Sequence, residues 1–415
     1  MNYRKNHILF SDYPTIMVGI KYKGEKNMDY KNEFPIVKQG KTFLAWAGLG
    51  TIPEVGIQAL EEAKSALTNA MIMFPLREEI RKERAKMINA KPEEIALTPT
   101  TTAAICRILN SFEYNNRKKL VVSALNFPTI PFACEEQRRR GAEVAYVPSP
   151  QEIGNPPNND IKPKPSDYEK AIDENTRMVF LTGACWRTGF RQDNIKEIIE
   201  IAHKKGAYVC LDNGQTAGQF SEDVKKSDVD FLVSVAYKKL MCPMGSTYLY
   251  VKEELIDKLR PLETGYFSDE NPIESYPRWL ERQNIGEHTL SKTASRFELG
   301  HPPLLLHHVS VAILKWLNKI GIKNIEEHGK DLMEYLAQRI AEEGYETYET
   351  NSPYSREQRS HVTLRNVDAH GLDEKLQRNN IIAMPAGNDD LRIAPHLSNT
   401  KEDIDEIMEN LKEIM

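Results

Sequence analysis

The chain is poor in the features that would send it to a membrane, a nucleic acid or an oxidising compartment. Its N-terminus carries Lys and Arg but no long apolar core after them, and the run from Ile16 to Ile20 is too short for a signal or a membrane span. Only 5 cysteines occur in 415 residues, at 106, 134, 185, 210 and 242, and none forms a Cys-x-x-Cys pair. Neither a disulfide framework nor a zinc site is indicated, and we expect no metal. Charge of one sign is also missing. With 55 Lys and Arg against 60 Asp and Glu, the net charge of −5 creates no field that recruits nucleic acid or anionic lipid. No internal repeat or low-complexity tract stands out. What remains is a cytoplasmic globular protein, long enough for two or three domains.

What is present is strand–helix alternation. Short apolar runs bounded by turn or helix signals occur at Ile95–Thr98, Lys119–Ser123, Ala142–Val147, Met178–Thr182, Ala207–Leu211, Val229–Val235 and Thr247–Val251. Runs of this length and composition suit strands buried on both faces of a mostly parallel sheet. Two irregular stretches, 149–166 and 267–295, read as long surface loops, since the alternation continues on either side.

Open α/β sheets bind ligands beyond the carboxyl ends of their strands. Asp212 closes one run and Tyr237-Lys238 follows the next, so the acid and the lysine meet at one rim. A lysine there can form a Schiff base with an aldehyde cofactor, and a carboxylate can keep a pyridine nitrogen protonated. A surface lysine beside a helix-capping Asp is the alternative for an isolated pair. Elsewhere, Thr98-Pro-Thr-Thr-Thr102 enters an apolar-periodic helix and offers a phosphate its free backbone N–H groups, although threonines also cap helices that bind nothing. Phe127 follows Lys119–Ser123, where an aromatic can stack on a pyridine face. Cys185 is open as a nucleophile or as a small core residue, with nothing nearby in sequence to activate it.

The wording around the pair carries a resemblance. Asp212-Asn-Gly-Gln215-Thr-Ala-Gly218, then Asp230-Phe-Leu and Tyr237-Lys238, resembles the class V aminotransferase family of fold-type I pyridoxal phosphate (PLP) enzymes, which includes kynureninases, cysteine desulfurases and isopenicillin N epimerase-like proteins. The resemblance runs from about Phe43 to the C-terminus. It implies a large domain with a seven-stranded, mostly parallel sheet over residues 51–303, a smaller α+β domain over 304–415, and an N-terminal segment, 1–50, packed with the small domain. It also implies a PLP enzyme acting on an α-amino acid, with no nucleic acid or membrane partner.

Residue roles follow from the same source. Lys238 would hold the cofactor, with Lys239 as rival; Asp212 would face the pyridine nitrogen and Gln215 the ring hydroxyl. Thr101 and Thr102 would seat the phosphate, although Thr100 replaces the usual Gly. Phe127 would stack on the ring, and Thr182 and Tyr237 would line the cofactor. Arg392, before the capped helix that carries Ile404, Ile407, Met408 and Leu411, would bind the substrate carboxylate, a task suited to a guanidinium's paired donors. Trp186 is a candidate pocket wall. Trp46 is a candidate substrate contact, with a packed core position as its alternative. Tyr266 and His301 would complete the partner subunit's phosphate site, which implies a homodimer with shared active sites.

The family default is transamination or β-elimination. A kynureninase-like C–C hydrolase is the alternative, drawn from Phe127-Pro-Thr129, Arg187-Thr-Gly189 and His301-Pro-Pro303. Cysteine desulfurase is disfavoured, because Ile382–Asp390 has no cysteine to take up sulfur. A PLP-binding homologue without chemistry is a third reading.

Overall fold

The computed structural model describes residues 30–66, 75–148, 163–192, 194–272, 286, 288–348 and 359–415. The first expected loop therefore lies largely outside the described residues, as does the central part of the second.

Seven strands build the main sheet: β1 (Ile95–Thr98), β2 (Lys119–Ser123), β3 (Glu143–Val147), β4 (Thr176–Thr182), β5 (Tyr208–Asp212), β6 (Phe231–Val235) and β7 (Thr247–Val251). Their order is β1-β7-β6-β5-β4-β2-β3. Only β7 runs against its neighbours, pairing antiparallel with both β1 and β6. All seven runs expected from the sequence are strands of this sheet. The reason they read as unbroken apolar runs is two-sided burial: Val179, Leu181, Val209 and Leu211 enter one core, while Met178, Phe180 and Cys210 enter the other.

A second, smaller body surrounds a three-stranded antiparallel sheet in which Leu391–Ile393 lies between Met384–Pro385 and Val362–Leu364. Its core contains Leu332, Leu336, Leu372 and Leu391 together with Ile404, Ile407, Met408 and Leu411 of the last helix. That helix, Lys401–Ile414, starts at a capping box in which the Thr400 N–H donates to Asp403 Oδ2 at 2.9 Å. The N-terminal segment joins this body: Thr42–Phe43 pairs parallel with Ile381–Ile382, and Leu44 enters the small core. Helix Leu304–Ile320 packs with the large body through Val309, Ile313, Leu314 and Leu317.

Helix Glu54–Ala66 buries Val55, Ala59 and Ala63, while Ile57 and Leu60 are exposed. Small residues allow close helix contact here, with Gly56 set against Ile313 of helix Leu304–Ile320. The larger side chains are left on the open face.

Beneath β1, Glu298 is buried and accepts from Arg77, from Arg81 at 2.6 Å and from the Leu97 N–H at 2.9 Å. Burial opposes its ionisation, yet Arg81 and Arg77 hold its pKa below the ordinary carboxylate value. A carboxyl depressed in this way contributes stability above its unfolded pKa, and that contribution is lost as acid carries the pH through the folded value. Glu298→Ala leaves two guanidinium groups buried without their shared acid, and we expect a loss of about 3–5 kcal/mol. Urea unfolding at neutral pH measures it, and the difference between variant and native protein should shrink toward acid pH.

Candidate active site

The sheet register brings the site together. Thr182 at the end of β4 lies opposite Asp212 at the end of β5, and Asp212 lies opposite Val233 of β6, four residues before Tyr237-Lys238. Asp212 is 7% exposed and accepts the Gly214 N–H at 2.8 Å. Burial raises its pKa, while the Gly214 N–H and Lys238 pull against that rise. Lys238 is half-buried, and its Nζ makes no hydrogen bond among the described residues. Burial lowers its pKa to about 8; Asp212 works to raise it and Arg392 to lower it. A reactive amine near neutral pH is the product of that balance.

Lys239 is placed quite differently. It is 1% exposed, and its Nζ donates to Gln215 O at 3.2 Å, to Gln219 Oε1 and to Ser360 O at 2.6 Å. Its three donors are already used, so the open amine of the pair is that of Lys238.

Around Lys238 stand groups suited to a flat anionic ligand. Phe127 is 48% exposed, with the Lys238 ammonium 5.8 Å from its ring centroid, and it meets the half-buried Trp186 edge-on at 5.6 Å. Gln215 donates to Ala47 O at 2.9 Å, while its buried Oε1 has no hydrogen-bond partner among the described residues. Helix Thr101–Asn110 follows the edge strand β1 and is capped by Thr100 Oγ1, which accepts from Ala103 N at 3.1 Å. The cap serves Ala103 and leaves the N–H groups of Thr101 and Thr102 at the helix's positive end for an anion. Thr102 Oγ1 also meets Thr129 Oγ1 at 2.8 Å, a link the sequence reading did not include although the Phe-Pro-Thr triplet contained it.

Arg392 comes from the small body. It is 8% exposed, and its guanidinium donates to Trp186 O and to Pro385 O, each at 3.2 Å. Its Nε has no hydrogen-bond partner, and among the described residues it pairs with no carboxylate. Burial pulls its pKa down to about 10. A buried guanidinium without an anion is costly and is suited to receive one. Its neighbour Asp390 is already taken, by Arg187 at 2.5 Å and by the Tyr348 hydroxyl at 2.8 Å. Arg187 stood in the Arg187-Thr-Gly189 triplet of the sequence, but its link to Asp390 and Tyr348 was not read there.

The remaining expected residues divide. The Thr182 hydroxyl donates to Ala184 O at 2.9 Å, beside the site but already engaged. Tyr237 is half-buried, its pKa pushed up by burial and then by Asp212. Tyr266 and His301 stack on one another at 6.1 Å, both against Phe267. Cys185 is buried, 5% exposed. Trp46 takes the core position that was its alternative: it has no exposure, packs edge-on against Phe34, Phe43 and His396, and donates to Ser398 Oγ at 3.2 Å. No cluster of His, Cys, Asp and Glu suited to a metal occurs among the described residues.

The family model for aminotransferase class-V matches residues 63–406. The chain belongs to that family. Among its relatives is an uncharacterized aminotransferase, YcbU, of Bacillus subtilis (strain 168), 29% identical over 91% of this chain and 96% of the other. Kynureninase of Bacillus mycoides (strain KBAB4) is 25% identical over 95% of this chain and 92% of its own. In fold the chain is similar to the apo cysteine desulfurase of Thermococcus onnurineus NA1, with a TM-score of 0.80, 19% identity and coverage of 95% and 99%. The class V family uses PLP, and the donor set fits it: one open amine, one buried carboxylate, an unpartnered amide oxygen, an uncovered aromatic face and a helix N-terminus.

The charge balance at Lys238 gives a prediction that needs no cofactor. Trinitrophenylation by trinitrobenzenesulfonate, a reagent that does not itself titrate, quantified at Lys238 by mass spectrometry across pH, should rise with a midpoint near 8. Asp212→Asn removes the group that raises the pKa and should move the midpoint down; Arg392→Gln removes a like charge and should move it up.

Proposed function

We propose that this protein is a PLP-dependent enzyme acting on an α-amino acid, as a transaminase or β-lyase, with the cofactor attached to Lys238. The observation that carries this reading is the pairing of one open amine, Lys238, with one buried anion-seeking guanidinium, Arg392, on opposite sides of the same rim. PLP supplies an electron sink for the bonds at Cα of an attached amino acid. The chain supplies position and protons. Asp212, a buried carboxylate with raised proton affinity, holds a proton at the pyridine nitrogen. Gln215 turns its spare oxygen toward the ring hydroxyl, Phe127 covers one ring face, and Thr101 and Thr102 hold the phosphate. Arg392 takes the α-carboxylate, which fixes Cα beside Lys238, and Lys238 then moves the Cα proton as base and acid. Thr182 and Tyr237 frame the cofactor, and Trp186 closes the substrate side.

The protein acts as a cytoplasmic homodimer, in which Tyr266 and His301 reach the phosphate site of the second subunit. Support comes from the exposed Ile57 and Leu60 and the half-exposed Tyr266 on the large body. A second reading, kynureninase-like C–C hydrolysis, is favoured by the aromatic pair Phe127–Trp186, which suits an aromatic side chain. Incubating the PLP-loaded protein with a panel of amino acids separates these reactions: keto acid marks transamination, ammonia or sulfide marks elimination, and anthranilate marks hydrolysis of kynurenine. No product from any of them contradicts the reading.

Arg392 gives the sharper expectation. Arg392→Lys should still load PLP but lose the paired grip on the carboxylate, a charge-assisted interaction worth about 1.5–3 kcal/mol, so kcat/KM falls at least about tenfold. Simple amines that lack a carboxylate should be affected far less, as comparative single-turnover rates would show. Loss of PLP, or equal loss with acids and amines, makes Arg392 a structural residue.

A further inference from the structure

The reading above leaves the second lysine without a part, although it is the more deeply buried of the two. Burying an ammonium costs several kcal/mol unless its protons find acceptors, and Met or Leu would fill this space without that cost. Lys239 has no carboxylate partner among the described residues. Its three donors instead meet three oxygens from two regions: Gln215 O and Gln219 Oε1 of the turn after β5, and Ser360 O of the small body.

The surrounding backbone is built around the same point. Gly218, at φ +85°, lies so close that a Cβ there would sit 2.4 Å from Lys239 O. That carbonyl accepts the His396 Nε2–H at 3.0 Å, and His396 follows Arg392 by one turn of chain. Ser360 in turn donates its N–H to Gly189 O at 2.8 Å, and three residues later Thr363 lies directly opposite Arg392 in the small sheet. Two short routes therefore join Lys239 to Arg392, one through Ser360 and Thr363, the other through His396. A third bond reaches Gln215, whose side-chain oxygen faces the cofactor in the reading above.

We propose that Lys239 is a positioning residue: its ammonium pins Ser360 of the small body to the Gln215–Gln219 turn and so fixes the reach between Arg392 and Lys238. The proposal rests on the assignment of Lys238 and Arg392 to cofactor and substrate carboxylate. Lys239 touches neither ligand. It works through the three oxygens it holds, and replacing it frees the seam while leaving both ligand-binding side chains present.

The test uses full-length Lys239→Met loaded with PLP. Hydrogen–deuterium exchange should rise at least about tenfold in peptides covering Ser360–Leu364 and Gln215–Gln219, with the helix Lys401–Ile414 unchanged. KM for a responding amino acid should rise about tenfold, while kcat, PLP affinity and reaction with simple amines stay within about twofold. Lys239→Gln keeps an amide donor and should restore part of both effects; if the Met variant does not accumulate as folded protein, the Gln variant is judged by the same criteria. Unchanged exchange at Ser360–Leu364 overturns the proposal. So does a general rise in exchange with equal loss toward amino acids and amines, which marks a merely structural lysine. Absence of cofactor from Lys238 in the unsubstituted protein would overturn the functional reading, and the exchange measurement stands apart from that outcome.

Discussion

Everything in the site follows from burying two lysines and an arginine where two bodies meet, with Asp212 the carboxylate that acts on Lys238. Lys238, Lys239 and Arg392 converge on the rim of the large sheet, and Asp212 is the acid placed among them. Such an arrangement is electrostatically expensive. The chain offsets the cost of each cation differently. Burial pushes the pKa of both lysines down, but Lys239 Nζ is met by three oxygens and Lys238 Nζ by none, while Arg392 keeps its charge and pairs with no carboxylate among the described residues. The unsettled groups are the ones left for chemistry.

The sheet makes this possible through register. Thr182, Asp212 and Val233 lie side by side, so the ends of β4, β5 and β6 form one edge. The turn after β5 then carries Gln215 under the N-terminal segment at Ala47, and the Gly50 N–H donates to Tyr237 O at 2.7 Å. The N-terminal segment thus braces the cofactor rim from one side while its Thr42–Phe43 strand extends the small body. Ordering of either body constrains the other.

Much of this was legible in the sequence because its causes are local. Two-sided burial writes each strand as an apolar run, and a polar residue at the run's end marks the rim; Asp212 and Lys238 were found that way. The capping box at Thr400 and the spacing of Ile404, Ile407, Met408 and Leu411 were equally local. What could not be read depends on who packs against whom. Lys238 and Lys239 are adjacent, and only the positions of Gln219 and Ser360 tell them apart. Trp46 carries no mark of its enclosure by Phe34, Phe43 and His396. On helix Glu54–Ala66, close packing against Leu304–Ile320 buries the small residues and leaves Ile57 and Leu60 outside, a choice made by the neighbouring helix. Arg187, Tyr348 and Asp390 form their network across more than two hundred residues of chain, which no local pattern encodes.

The central claim is that of two neighbouring lysines, Lys238 alone carries the cofactor. Borohydride reduction of the PLP-loaded protein, followed by peptide mapping, tests it most directly. The account predicts one pyridoxyl group, on Lys238, with Lys239 unmodified. A label on Lys239, or none on either lysine in a fully loaded preparation, would contradict it.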